Sequence, residues 1–172
     1  MTTTPPPLTP SDAPSEAFPR PRPGPAAMLY RSGEGLAETH LIAFAAALRA
    51  RGVRVGGLAQ RTERDAAGRK VRMDVIDVAA GAPHDILQKL GAASTACAID
   101  TQALADASAV PRAALERGVD LLVVSRFSHL EAQGEGLAQE MFAAMAQGVP
   151  VLTLVPESRA LEWLHATAPV GR

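Results

Sequence analysis

Two glycine-bearing stretches of the chain have the residue types to hold an anion. The first, Tyr30-Arg31-Ser32-Gly33-Glu34-Gly35-Leu36, carries two glycines whose backbone N–H groups can turn toward an oxyanion. It opens into a helical pattern whose amino end adds partial positive charge. Ser32, Gly33 and Gly35 are the candidate cradle, and Arg31 is a candidate source of further charge. The phosphate-loop pattern GxxxxGK[ST] is incomplete, because Leu36 rather than lysine follows Gly35 and the helix continues Ala-Glu-Thr-His. Without that lysine a phosphate loses its main charge partner, and Glu34 would repel it. The alternative for this stretch is a glycine turn that only caps a helix.

The second stretch, residues 125–136 (SRFSHLEAQGEG), follows the apolar run 119–124 (VDLLVV). In a phosphate-hydrolysing site an acidic residue at this strand end holds the magnesium ion. Here Ser125 and Arg126 stand in its place. A guanidinium binds an anion bidentately and cannot hold a cation, so the loop reads as an oxyanion site with Ser125 and Arg126 as ligands. Gly134 and Gly136 permit close backbone approach. Glu131 is the nearest carboxylate and the candidate catalytic group, with His129 a secondary candidate. The alternative is a turn in which Arg126 and Glu131 form a salt bridge.

Other chemistry is sparse. Cys97 precedes Asp100 near an expected strand end, which makes the pair secondary candidates, the thiol as a nucleophile; a buried structural cysteine is the competing reading. His40, His84, His129 and His165 have neither HxxxH nor HxH spacing, so no metal site is expected. A single cysteine excludes an internal disulfide and fits a reducing cytosol. Seventeen Lys and Arg balance 18 Asp and Glu, and aromatics make up 3% of the chain. Neither the charge nor the stacking surface of a nucleic-acid binder is there, nor the charge of an anionic-membrane binder. The amino-terminal residues have no signal-peptide pattern, and no apolar run approaches a membrane span, so a cytoplasmic protein is expected.

The elements that must position these residues follow from patterning. Nine of the 14 prolines fall in residues 5–25, which reads as a disordered or polyproline-II-like tail of 25 residues ahead of one folded domain, 26–172. From there 26–30 is strand-like, and 36–51 has a helical stripe at 37, 41, 44, 45 and 48 closed by Gly52. Residues 53–60 form the next strand, 61–70 are polar with a turn glycine, and 71–78 (VRMDVIDV) alternates as an antiparallel hairpin arm. A helical turn is expected at 85–90 and a short strand near 96–99. Residues 101–117 are helical, with Pro111 starting a second helix or kinking the first. Strand 119–124, helix 135–147, strand 149–155 and a terminal helix anchored by Trp163 complete the chain. Alternating strands and helices imply an α/β three-layer sandwich with a mainly parallel sheet plus the hairpin arm. In such sheets ligands bind beyond the carboxyl ends of the strands, where both glycine stretches fall.

The segments GVRVGGLAQ (52–60), Cys-x-Ile-Asp-x-x-Ala-Leu (97–104) and DLLVVSRFSHLEAQGEGL (120–137) resemble the bacterial domain-of-unknown-function 2478 family over about residues 26–166. That family is distantly similar to thermostable nucleoside triphosphatases of the P-loop class, which implies a P-loop-like fold. In those enzymes the strand matching 119–124 ends in an Asp-Glu pair followed by a glycine and a distal glutamate. Glu131 matches that glutamate, and Ser125-Arg126 replaces the pair. The family's own motif runs Asn-Arg/Lys-Phe-Gly-Lys-x-Glu-Ala-x-Gly-x-Gly. This chain keeps Arg126, Phe127, Glu131, Ala132, Gly134 and Gly136, but has Ser125, Ser128 and His129 for the Asn, Gly and Lys. The resemblance also implies an association with molybdate uptake.

Together these readings predict a binding or accessory protein for a nucleotide or oxyanion, possessing neither the loop lysine nor the metal-holding acid of a hydrolase. The enzyme alternative is an atypical nucleoside triphosphatase or nucleotide kinase using Arg31 or Arg126 with Glu131. A third reading is a ligand-free interaction module that joins a protein partner, or a second copy of itself, through the tail or a sheet edge.

Overall fold

Residues 24–31, 36–88 and 99–168 are described by a computed structural model. The elements are β1 (Ala26–Tyr30), α1 (Ala37–Ala50), β2 (Val55–Arg64), β3 (Lys70–Asp77), β4 (Pro83–Asp85), α2 (Thr101–Ala107) and α3 (Ala109–Glu116). They continue with β5 (Leu121–Val124), α4 (His129–Ala132), α5 (Ala138–Ala146), β6 (Val151–Pro156), a 3-10 turn (Glu157–Arg159) and α6 (Ala160–Thr167). The six strands form one sheet in the order β1-β6-β5-β2-β3-β4. β1, β6, β5 and β2 are parallel; β3 adds on antiparallel to β2, and β4 antiparallel to β3. This is the expected mainly parallel α/β sheet with a hairpin arm. The expected tail lies outside the described residues apart from Gly24 and Pro25.

Helices cover both faces, which explains why the central strands are apolar on successive residues rather than alternate ones. Leu122 and Val124 of β5 and Val151 and Val155 of β6 face a core built with α2 to α6, including Leu104, Ala114, Leu130, Met141 and Trp163. Val123, Leu152 and Leu154 point the other way, toward Leu41 and Ala45 of α1. Each fully buried aliphatic side chain contributes roughly 1.5–3 kcal/mol relative to exposure. Few aromatics are needed: Phe127, fully buried, meets Trp163 edge-on with centroids 5.4 Å apart. Phe44, on the expected helical stripe, is instead about half exposed.

Two local expectations are corrected. β2 runs past residue 60 to Arg64, into the polar stretch, because Arg61–Asp74 and Thr62–Met73 continue the antiparallel register. The described part of 85–90 is extended rather than helical: Ile86 N–H donates to Met73 O, Leu87 bridges to Ile99, and Leu87 N–H is taken up by the Asp85 carboxylate. The expected strand near 96–99 is described only at Ile99. The break between α2 and α3 falls at Ser108, and Pro111 sits in the first turn of α3, where its missing N–H costs no helical bond.

The register of β2 on β5 depends on Gly57. Its φ is +106°, and a Cβ there would lie 2.0 Å from the Val123 carbonyl oxygen. Only glycine lets β2 approach β5 so closely. Among the described residues no helix is long and apolar enough to cross a membrane.

Candidate functional site

Because β1, β6, β5 and β2 run in one direction, their carboxyl ends share one edge of the sheet. From β1 the chain enters α1 on one face, while from β5 it enters α4 and α5 on the other. With β6 between β1 and β5, the two exits diverge and leave a crevice at the strand ends. Tyr30, Glu38, Gln60, Thr62 and Arg126 meet there.

Arg126 is the centre of the cluster. It follows Ser125, a buried residue immediately beyond β5, and its guanidinium carbon lies 5.4 Å from the centroid of the Tyr30 ring at the end of β1. This is cation–π distance. Its Nη2 donates to Glu38 Oε1 at 2.7 Å, the two side chains being 28% and 15% exposed. Its Nε is buried and has no hydrogen-bond partner among the described residues. Burial raises the Tyr30 phenol above its ordinary pKa, which Arg126 opposes and Glu38 reinforces.

Glu38 lies in the first turn of α1, where a carboxylate is favoured by the helix dipole. Besides Arg126, its oxygens accept from Gln60 Nε2 (3.0 Å), Thr62 N–H (2.7 Å) and Thr62 Oγ1 (3.0 Å). Gln60 is almost wholly buried, and its amide also donates to Thr62 Oγ1. Beside this network opens a groove of about 310 Å3 whose walls include Glu38, Ile42, Arg61, Thr62 and Ile76. One strand further, the carboxylate of Asp74, 1% exposed, takes Arg61 Nη2 at 2.7 Å and Arg72 Nε at 2.8 Å.

The salt bridge considered between Arg126 and Glu131 does not form; Arg126 turns to Glu38 instead. Glu131 is buried in a capping box at the start of α4: its Oε2 accepts from Ser128 N–H (2.8 Å) and Ser128 Oγ (2.6 Å). Its Oε1 accepts from Leu137 N–H at 3.2 Å. Gly136 has φ +59° and would place a Cβ 2.3 Å from Glu131 Oε1, so glycine is required for the loop to close over that carboxylate. Gly134, φ +81°, follows α4 with open space around its Cα.

The remaining candidates are dispersed. Arg31 pairs with Glu157 at 3.1 Å on the surface. His129 opens α4 and lines a separate groove of about 650 Å3 with Arg159, Glu162 and His165. Asp100 caps α2 by accepting from Gln102 and Ala103 N–H groups. Ser32, Gly33, Gly35 and Cys97 lie outside the described residues. Sequence reasoning missed Tyr30, Glu38, Gln60 and Thr62. The available signal was positional: Glu38 falls in the first turn of the helix after the glycine stretch, and Gln60 and Thr62 are polar residues where the apolar run of β2 gives way.

Residues 25–172 match the family described as "Protein of unknown function (DUF2478)". The chain belongs to that family. This DUF2478 chain is also 42% identical over 146 residues to the molybdenum import ATP-binding protein ModC 2 of Bradyrhizobium diazoefficiens, a match covering 85% of the chain and 16% of that protein. It therefore spans only a small part of that relative's length. In fold it is similar to a solved structure of a human cancer-related nucleoside triphosphatase, with a TM-score of 0.58 at 17% sequence identity, covering 83% of this chain and 82% of that one. What the two share is the α/β fold.

Proposed function

We propose that this DUF2478 chain binds a nucleotide or a free oxyanion at the carboxyl edge of its sheet, between the loops after β1 and β5, with little or no hydrolysis. The observation that carries the reading is Arg126. A guanidinium, not a carboxylate, stands at the end of β5, partly accessible, stacked beside Tyr30 and with its Nε free of hydrogen bonds to the described residues. Such a group offers a fork of donors to a phosphoryl, sulfate-like or molybdate oxygen, and it repels a divalent cation. Ser125 and the backbone of Ser32, Gly33 and Gly35 are the further ligands of the proposed cradle, and Gly134 and Gly136 shape its other wall.

Phosphoryl transfer is catalysed almost wholly by positioning and electrostatic stabilisation, so a chain with neither the loop lysine nor an acid at the end of β5 loses several orders of magnitude in rate. The commitment of both Glu131 oxygens, one to the capping box and the other to the Leu137 N–H, supports the same view. The name of the ModC 2 relative joins ATP binding to molybdenum import, so molybdate belongs among the oxyanions to be tried.

The test is a melting panel of the purified full chain with ATP, GTP, inorganic phosphate and molybdate, alongside phosphate release in magnesium. A ligand at 100 times its dissociation constant stabilises the fold by about 2.7 kcal/mol, and we expect at least one of the four to do so without turnover. Magnesium-dependent hydrolysis lost in Arg126→Ala and Glu131→Gln would establish the triphosphatase reading instead. An unmoved melting temperature across the panel would favour the interaction module.

A further inference from the structure

The Glu38 carboxylate is held by more donors than a structural ion pair needs. A guanidinium (Arg126 Nη2), a side-chain amide (Gln60 Nε2), a hydroxyl (Thr62 Oγ1) and a main-chain N–H (Thr62) converge on its two oxygens at 2.7–3.0 Å. They come from the second half of β2 and the loop after β5, while the carboxylate comes from α1. Convergent donors of these mixed kinds, one of them charged, are what protein sites for oxyanions are built from. We infer that Gln60, Thr62 and Arg126 form an oxyanion nest whose present occupant is the chain's own Glu38, and that an inorganic oxyanion or a nucleotide phosphoryl group enters by displacing that carboxylate.

Charge makes the two occupants exclusive. A dianion bound to Arg126 beside an undisplaced Glu38 would face a like charge at contact distance in a partly buried crevice. It offers Arg126 twice the charge of a carboxylate, and its additional oxygens can engage the N–H and hydroxyl donors together. The structure also provides room for the displaced side chain. Glu38 lines the 310 Å3 groove shared with Arg61. Arg61 Nε makes no hydrogen bond among the described residues, its nearest ion-pair contact being Glu63 Oε1 at 3.8 Å. Glu38 therefore exchanges one guanidinium for another as the nest opens. The inference rests on the proposed function in placing the ligand at Arg126, and goes beyond it in naming the other donors and the residue that sets the affinity.

The test uses the full chain as wild type, Glu38→Gln, Glu38→Ala, and the double variant of Glu38→Gln with Arg126→Ala. Each is titrated with inorganic phosphate, molybdate and ATP by thermal melting, and the wild type and Glu38→Ala also with formate. An occupant that fills the nest most of the time weakens apparent affinity by the fraction of time the nest is vacant, so Glu38→Gln is expected to bind phosphate or molybdate about tenfold tighter or more. The gain vanishes in the double variant, and formate raises the melting temperature of Glu38→Ala while leaving the wild type unmoved. If both single variants fold cooperatively and neither gains affinity for any of these anions, the nest is overturned. Should Glu38→Ala melt without a cooperative transition, it is read by formate alone: restoration of the transition supports the nest, and none overturns it. Wild type that binds nothing while the variants do keeps the nest and removes the proposed function. Wild type that binds with an affinity unchanged in both variants keeps the function and removes the displacement.

Discussion

Glu38 and Arg126 are 88 positions apart in the chain and 2.7 Å apart in space. Their contact ties the first turn of α1, on one face of the sheet, to the loop that leaves β5 for the other. Arg126→Ala removes the charged partner from a carboxylate that remains mostly buried. We expect a loss of about 1–3 kcal/mol in urea denaturation, below the value for a fully buried pair because both side chains keep some water. The same substitution takes a charge-assisted donor from the proposed anion site and should weaken phosphate or nucleotide binding by about 10- to 100-fold in calorimetric titration.

Substitutions at Glu131 separate structural from catalytic duty. Glu131→Ala leaves the Ser128 and Leu137 N–H groups without their acceptor in a buried turn, and is expected to cost about 1–3 kcal/mol in chemical denaturation. Glutamine can serve the same box, so Glu131→Gln should lose clearly less, with ligand affinity within a few-fold of wild type.

The architecture was readable because it depends on patterning that survives packing. Continuous apolar runs at 119–124 and 149–155 signalled strands covered on both faces, and the period-two segment 71–78 signalled the arm. Register was harder to see. The extension of β2 through Arg61 and Thr62 depends on cross-strand partners more than ten residues away, and the polar composition there hid it. At the site, Arg126 stood out because its residue type is wrong for a metal ligand at a strand end. Glu38 did not, because a glutamate in the first turn of a helix is what the dipole alone would favour. Its partners Gln60 and Thr62 reach it only through tertiary placement of β2. The spacing Ser128-x-x-Glu131 also fits a capping box, and in this loop the Glu131 carboxylate accepts from Ser128 in that way.

Three glycines differ in what they tolerate. Gly57→Ala puts a methyl group 2.0 Å from a main-chain oxygen in the centre of the sheet, and more than about 3 kcal/mol of destabilisation is expected. Gly136→Ala combines a positive φ with a collision against Glu131 and should approach that cost. Gly134→Ala meets open space and should cost only the backbone term, about 1 kcal/mol. Equal melting temperatures for Gly57→Ala and Gly134→Ala would contradict the β2–β5 geometry described above.

Acid sensitivity should trace in part to Asp120. Side-chain hydrogen bonds from the Arg54 guanidinium, followed by the Arg54 main-chain N–H, hold its carboxyl below the usual range. A carboxyl with a depressed folded pKa stabilises the fold above its unfolded pKa, near 4, and loses that contribution as the pH falls through the folded value. Asp120→Asn should therefore lower stability at pH 7 and leave it nearly unchanged near pH 2, so that the variant's stability varies less with pH across that span. Denaturation midpoints at pH 2, 4 and 7 would measure this.

Among the described residues α1 alone supplies the helical cover for one face of the sheet, whereas α2 to α6 share the other. Its buried contribution is small, with Leu41 and Ala45 its only fully buried side chains. The amides of α1 are therefore expected to exchange with deuterated water through a local opening at lower free energy than those of β5 and β6. Because Glu38 is carried by this helix, that opening also uncovers Arg126, so occupancy of the strand ends and protection of α1 amides become two readings of one equilibrium.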